Sequence, residues 1–105
     1  MPLMARFEIN LDYLTKTLVD LLNTPSPTGD TEWAVAFVQQ EFEAMGVKTR
    51  LTNKGALIAE IPGLKSDSPR ALTAHVDTLG AMVSKVKPSG RLQMVALNGV
   101  MWPTV

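Results

Sequence analysis

The stretch LTAHVDTLGAMV, residues 72 to 83, contains the two side chains of this sequence that are best suited to chemistry. His75 is the single histidine of the chain, and Asp77 follows it two positions later. If residues 71–77 form a strand, side chains two positions apart point to the same face, about 6.6 to 7 Å apart along the strand. A neutral imidazole is a good metal ligand, and a carboxylate on the same face can fix the orientation of its ring.

The same two residues also have an interpretation without chemistry. His75 would then be a core histidine whose ring is satisfied by a backbone carbonyl, and Asp77 would begin a turn before Gly80. A lone His-x-Asp pair is too short to be specific. Both interpretations therefore stay open on these two residues alone.

Two helices are predicted ahead of this segment. Apolar residues recur at spacings of three and four from position 10 to position 22, which predicts a helix with one apolar face. The sequence NTPSPTGD breaks that helix, and either Thr28 or Asp30 is expected to cap a second helix over about residues 31–45. Gly46 follows as a residue that can take the left-handed conformation at a helix end.

After Gly46 the apolar residues alternate, as they do in strands. VKTRLT and ALIAEI predict a hairpin with a turn at residues 53–55, and GAMVSKV and RLQMVAL predict two more strands with a turn at residues 88–90. RALTAHVD is apolar on both faces, which predicts an interior strand with a neighbour on each side. The pattern therefore predicts two helices followed by a mostly β remainder, in which the interior strand presents His75 near its carboxyl end, where open α/β sheets bind ligands.

Composition excludes several classes of partner and site. Ten basic and ten acidic side chains give no net charge, and without a Lys/Arg cluster neither nucleic acid nor a membrane is expected as a partner. The chain has no cysteine, so a transition metal would need His and carboxylate ligands. No G-x-S-x-G nucleophile elbow is present. Charges at Arg6 and Glu8 interrupt the apolar stretch that a signal peptide needs, so a cytoplasmic location is expected.

Several motifs in order resemble one known family. The loop PSPTGD, the strand NKGALIAEIPG, the segment AHVDTLGAMV and the stretch KPSGRLQMVALNGVMW resemble the dinuclear metal-dependent aminopeptidases of metallopeptidase family forty-two, which include the tetrahedral (TET) aminopeptidases, the glutamyl aminopeptidases and proteins labelled endoglucanase M. The resemblance runs from about position 14 to the last residue. It implies that residues 1–83 are the amino-terminal part of a zinc-exopeptidase-like catalytic domain of the α/β class, with two helices followed by a mixed β-sheet. It also implies that residues 84–105 begin an inserted β-rich domain.

The resemblance also implies an activity and a site. The activity would be the hydrolysis of amino-terminal residues from peptides by a homo-oligomer with two divalent metal ions, zinc or cobalt. In the implied site His75 is a metal ligand, and Asp77 is the catalytic carboxylate that orients its ring. Thr78 stands where the family usually has an acidic residue, and HVDT is also the wording of related deacylases and dipeptidases. A deacylase or dipeptidase is therefore the alternative enzyme.

A complete dinuclear site cannot be assembled from this sequence. A catalytic metal site uses about three protein ligands per ion, and the chain has one histidine. We therefore expect an amino-terminal portion of a longer enzyme that is inactive alone and not fully occupied by metal. A non-catalytic association module is the alternative from another class. Open strand edges and an apolar patch predict self-association; the patch comprises Met94, Val95, Leu97, Met101 and Trp102.

Overall fold

The computed structural model describes residues 7–99 of the chain. Two helices, α1 and α2, precede four strands, β1 to β4. Their bounds are α1 Leu11–Leu22, α2 Glu32–Ala44, β1 Lys48–Leu51, β2 Leu57–Glu60, β3 Gly80–Val86 and β4 Leu92–Leu97. The predicted α/β class and the order of two helices followed by strands are confirmed.

The ends of the two helices are set by different local signals. Asn10 caps α1, because its side-chain oxygen accepts a hydrogen bond of 3.0 Å from the backbone N–H of Tyr13. The predicted cap of α2 was wrong, since Thr31 occupies the N-cap position and makes no side-chain capping bond. Gly46 follows the end of α2 with a φ of +75°, as predicted.

The two helices contact each other through polar and apolar groups. The Tyr13 hydroxyl donates a hydrogen bond of 2.6 Å to Glu41 Oε2. A small cavity between the helices is lined by apolar side chains that include Leu21 and Phe37. Ala34 on α2 is fully buried. The sparse core of the described residues therefore lies on α2.

The four strands pair as two antiparallel hairpins. In the first, Lys48 lies opposite Glu60, and the connecting turn contains Gly55 with a φ of +80°. In the second, β3 and β4 are joined by a turn at Gly90 with a φ of +79°. Both hairpins and both turns agree with the sequence pattern. The predicted domain boundary after Val83 falls inside β3 and stays a prediction.

The interior strand predicted for residues 71–77 was wrong. This segment belongs to no helix or strand, and residues 71–75 are exposed. The hairpins form two separate two-stranded sheets rather than one mixed sheet in the described part of the chain. An interior strand needs hydrogen-bonding partners from distant sequence on both sides, whereas each hairpin finds its partner a few residues away. Both hairpins therefore form in the described structure, whereas residues 71–77 do not pair as a strand.

Much of the apolar surface is open. The chain exposes 10031 Å², against about 5,800 Å² expected for a compact monomer of this mass. Met94 and Val95 of the predicted patch are about half exposed, and Met101 and Trp102 lie outside the described residues. Self-association through these faces stays a prediction. Between residues 7 and 99, neither helix has the length and apolarity needed to cross a membrane.

Gly80 is required where β3 begins, because the loop before α2 passes close to it. A Cβ built on Gly80 would lie 2.7 Å from Pro27 Cβ. We expect Gly80→Ala to weaken the contact between the two segments by about 1–3 kcal/mol, as overpacking does. Hydrogen exchange of the Thr78 amide, which bonds Ser26 O at 2.7 Å, should become faster.

Gly99→Ala is the matched control for this substitution, because a Cβ there meets no atom of residues 7–99 within 4 Å. Exchange of the Thr78 amide should be unchanged in the control. Equal exchange rates in Gly80→Ala and the wild type would show that the loop moves aside without cost.

Candidate metal centre at His75 and Asp77

The segment that carries His75 is anchored at its carboxyl end by the loop before α2. Thr78 and Pro27 form an isolated parallel bridge. The Thr78 N–H donates to Ser26 O at 2.7 Å, and the Thr78 hydroxyl donates to the same oxygen at 3.1 Å. Since residues 71–77 have no strand partner in the described structure, this bridge is what places the segment beside the loop.

His75 and Asp77 form a direct contact. His75 Nδ1 lies 2.8 Å from Asp77 Oδ1 and 3.1 Å from the main-chain oxygen of Asp77. The His75 side chain is 83% exposed and that of Asp77 is 35% exposed. The sequence predicted that the two side chains share a face, and the structure brings them together. The exposure of His75 disagrees with the interpretation as a core histidine.

A third residue, Thr28, holds the other oxygen of the carboxylate. The Thr28 hydroxyl donates a hydrogen bond of 2.6 Å to Asp77 Oδ2. The same hydroxyl oxygen accepts a hydrogen bond from Asn98 Nδ2. Thr28 is 49 residues from Asp77 and 70 residues from Asn98 in sequence, so these contacts depend on the fold.

These hydrogen bonds stabilise the ionised form of Asp77. The bond from Thr28, followed by the bond from His75, lowers the pKa of Asp77 below its ordinary value, although partial desolvation opposes the shift. The stabilisation that these bonds give the folded state is present above the ordinary carboxyl pKa and is lost as the pH falls through the lowered pKa. Asp77 is therefore an anion at neutral pH.

The arrangement leaves one ring nitrogen available as a ligand. An ionised carboxylate can only accept hydrogen bonds, so it favours the tautomer of His75 that carries its proton on Nδ1. The lone pair is then on Nε2 of a ring that is largely open to solvent. This donor fits a divalent metal ion as a single ligand. In the described range 7–99, no group of three or more His, Cys, Asp or Glu residues is placed to hold an ion.

A groove lies next to the pair. It has a volume of about 780 Å³, and α2, the first hairpin and the segment before Thr78 form its walls. Its volume falls within the range of roughly 300–1,000 Å³ typical of small-molecule sites. His75 and Asp77 line the groove together with Thr28, and Lys54 and Arg70 add two cations to its wall. A ligand in this groove would therefore be within reach of the His-Asp pair.

Thr28 and Asn98 were not identified as site residues from the sequence. Thr28 was interpreted as a possible helix cap because it lies in a Pro- and Gly-containing loop. Asn98 precedes Gly99, and Asn-Gly is a turn signal that is compatible with its observed φ of +67°. That signal predicts the backbone conformation of Asn98, but it does not predict a contact with residue 28.

Comparison with known proteins adds two findings. A sequence model of the M42 glutamyl aminopeptidase family matches residues 55–105, a range that includes His75 and Asp77. "Putative aminopeptidase YhfE" of Bacillus subtilis (strain 168) is 40% identical over 86 residues, which are 82% of this chain and 25% of that protein. The chain thus spans about a quarter of the length of this curated relative.

Proposed function

Because the chain belongs to the M42 glutamyl aminopeptidase family, we propose that it forms part of a metal-dependent aminopeptidase that removes amino-terminal residues from peptides. The observation that carries the proposal is the His75–Asp77 pair, which lies within the range matched by the family. The pair leaves Nε2 of an exposed imidazole available and holds the other nitrogen at 2.8 Å from a carboxylate oxygen.

Each residue of the pair has a distinct role in the proposed site. His75 would donate its Nε2 lone pair to one of two divalent ions, zinc or cobalt. Asp77 holds the proton on Nδ1 and, through its negative charge, makes Nε2 a stronger ligand. The bound ions would supply Lewis-acid polarisation of the scissile carbonyl and activation of the attacking water. The groove beside the pair would hold the amino-terminal end of the peptide.

The remaining ligands must come from other sequence. A catalytic site uses about three protein ligands per ion, and residues 7–99 bring no such group together. The relative is about four times as long as the matched part. We therefore place the other ligands and the general base in parts of a longer protein that these 105 residues do not include. Homo-oligomerisation and a cytoplasmic location also stay proposals.

The alternative enzyme, a deacylase or dipeptidase, is favoured by one residue. Thr78 replaces the acidic residue that the resemblance leads one to expect. Its hydroxyl and its N–H both donate to Ser26 O, so Thr78 acts here as a structural contact between the segment and the loop. The family match over residues 55–105 favours the aminopeptidase.

The test compares two substrates and two proteins. The complete protein, loaded with zinc or cobalt, should release the chromophore from an aminoacyl anilide with a free amino group and leave the N-acetylated anilide intact. The 105-residue chain alone should bind metal below stoichiometry and cleave neither. Release of acetate from the acetylated anilide, without release of the chromophore, would favour the deacylase. A metal-loaded complete protein that acts on neither substrate would refute the aminopeptidase and favour the association module.

A further inference from the structure

The hydrogen bonds around Asp77 are all donated toward its carboxylate. A carboxylate has no proton to give, so the single Thr28 hydroxyl proton must point to Asp77 Oδ2, at 2.6 Å. The hydroxyl oxygen is then left as an acceptor, and Asn98 Nδ2 donates to it. His75 Nδ1 donates to the other carboxylate oxygen. The two oxygens of Asp77 are thus held by donors from two different parts of the chain.

This network supplies rigidity that the backbone of the segment does not. Residues 71–77 have no strand hydrogen bonds in the described structure, so their ladder cannot fix the side chains. A hydrogen bond between the exposed His75 and Asp77 alone would leave the pair free to turn together. The Thr28 hydroxyl ties Asp77 to the loop before α2, and this loop is joined to Thr78 by the parallel bridge.

The second hairpin delivers Asn98 to the same point. Gly80 at the start of β3 lies opposite Leu97 at the end of β4, so the next residue, Asn98, returns to the neighbourhood of Thr78. Asn98 has a φ of +67°, in the left-handed region that asparagine tolerates better than most residues. Asparagine therefore meets two demands at this position, a left-handed backbone and a side-chain N–H donor.

We propose that Thr28 and Asn98 are positioning residues that act through Asp77 to hold the His75 ring with its proton on Nδ1 and its Nε2 lone pair directed outward. The inference rests on the proposed function only where Nε2 binds a metal ion. The tautomer and orientation of the ring are properties of the metal-free chain. They can be measured whether or not the aminopeptidase proposal is correct.

The first test uses the 105-residue chain, in which His75 is the single histidine. Nitrogen-15 labelling of histidine gives one imidazole, and its two ring shifts report the tautomer at a pH where the ring is neutral. The wild type and Thr28→Ser should show mainly the Nδ1–H form. Thr28→Val, which has the shape of threonine without the hydroxyl, should shift the population toward the Nε2–H form that free imidazole side chains prefer.

Two further variants test Asn98 and the specificity of the effect. Asn98→Gly keeps access to the left-handed backbone and removes the amide, so it should shift the tautomer in the same direction as Thr28→Val by a smaller amount. Thr73→Val makes the same chemical change in the same groove, at a threonine for which the structure records no side-chain hydrogen bond within residues 7–99. It should leave the spectrum unchanged.

The second test uses metal affinity in the complete protein, measured by competition with a chelator. Thr28→Val should weaken zinc binding by up to about tenfold, the lower end of the cost of losing a direct partner of a ligand, because Thr28 acts on His75 through Asp77. Thr28→Ser should restore zinc binding to within about threefold of the wild type. If Thr28→Val keeps the wild-type tautomer, the positioning role is refuted. If the tautomer shifts while neither wild type nor variant binds zinc, the positioning role stands and the metal site of the proposed function fails.

Discussion

His75→Ala in the complete protein is expected to remove one of the two metal ions of the proposed site and to lower kcat/KM for the proposed aminopeptidase reaction by more than about 100-fold. Loss of a partner that only orients a ligand typically costs 10- to 100-fold in affinity or activity, and loss of the ligand itself should exceed that range. The described part of the chain offers no replacement ligand set, because no group of three or more His, Cys, Asp or Glu residues is placed there to hold an ion.

The measurement is metal content by mass spectrometry beside hydrolysis of a chromogenic aminoacyl anilide. Leu64→Ala is a suitable control, since Leu64 is fully exposed in the loop before this segment and does not line the groove beside the pair. The control should keep both ions and its turnover. A His75→Ala protein with two ions and normal turnover would mean that His75 is a solvent-exposed residue without a role in the site.

Local features of the fold could be predicted from the sequence. The apolar period of α1 and the glycines that end α2 and turn both hairpins act within a few residues. Interactions over that distance are encoded in the segment itself, so a pattern of residue types is enough to predict them. The two helices and both hairpins were accordingly placed within one or two residues of their observed bounds.

Features that depend on distant partners could not be predicted in the same way. The segment 71–77 has the composition of an interior strand, but a strand exists only where other strands pair with it. Thr28 was interpreted by its neighbours in sequence as a helix cap, whereas its hydroxyl bonds a carboxylate 49 residues away. The sequence pattern therefore identified His75 and Asp77, which are two residues apart. It missed Thr28 and Asn98, which complete the hydrogen bonds of the pair.

The loop before α2 contacts the site as well as separating the two helices. PSPTGD was interpreted as a helix breaker, and it does separate α1 from α2. The same loop also supplies the main-chain oxygen that anchors Thr78 and the hydroxyl that holds Asp77. Proline and glycine shape the loop, and Ser26 and Thr28 between them make the contacts. A substitution in this loop should therefore affect the site even where the helices are unchanged.

Asp77→Asn should separate orientation of the ligand from metal binding itself. The asparagine oxygen can still accept from His75 Nδ1, so the ring keeps its place and both ions should remain bound at saturating metal. The negative charge that strengthens Nε2 is lost. The amide N–H₂ of the variant would also take the place of Asp77 Oδ2, which accepts the Thr28 hydroxyl proton at 2.6 Å in the wild type. We expect kcat to fall about 10- to 100-fold, with little change in KM.

The comparison that decides the role of Asp77 is between three proteins measured for metal content and kcat together. His75→Ala should lose an ion, Asp77→Asn should keep both ions and lose rate, and Asp67→Asn, the same change in an exposed loop, should do neither. Wild-type kcat in Asp77→Asn would show that the charge has no effect on the ligand. Loss of an ion in Asp77→Asn would instead show that His75 needs the negative charge of Asp77 to bind the ion, because the amide preserves the hydrogen bond to the ring and removes only the charge.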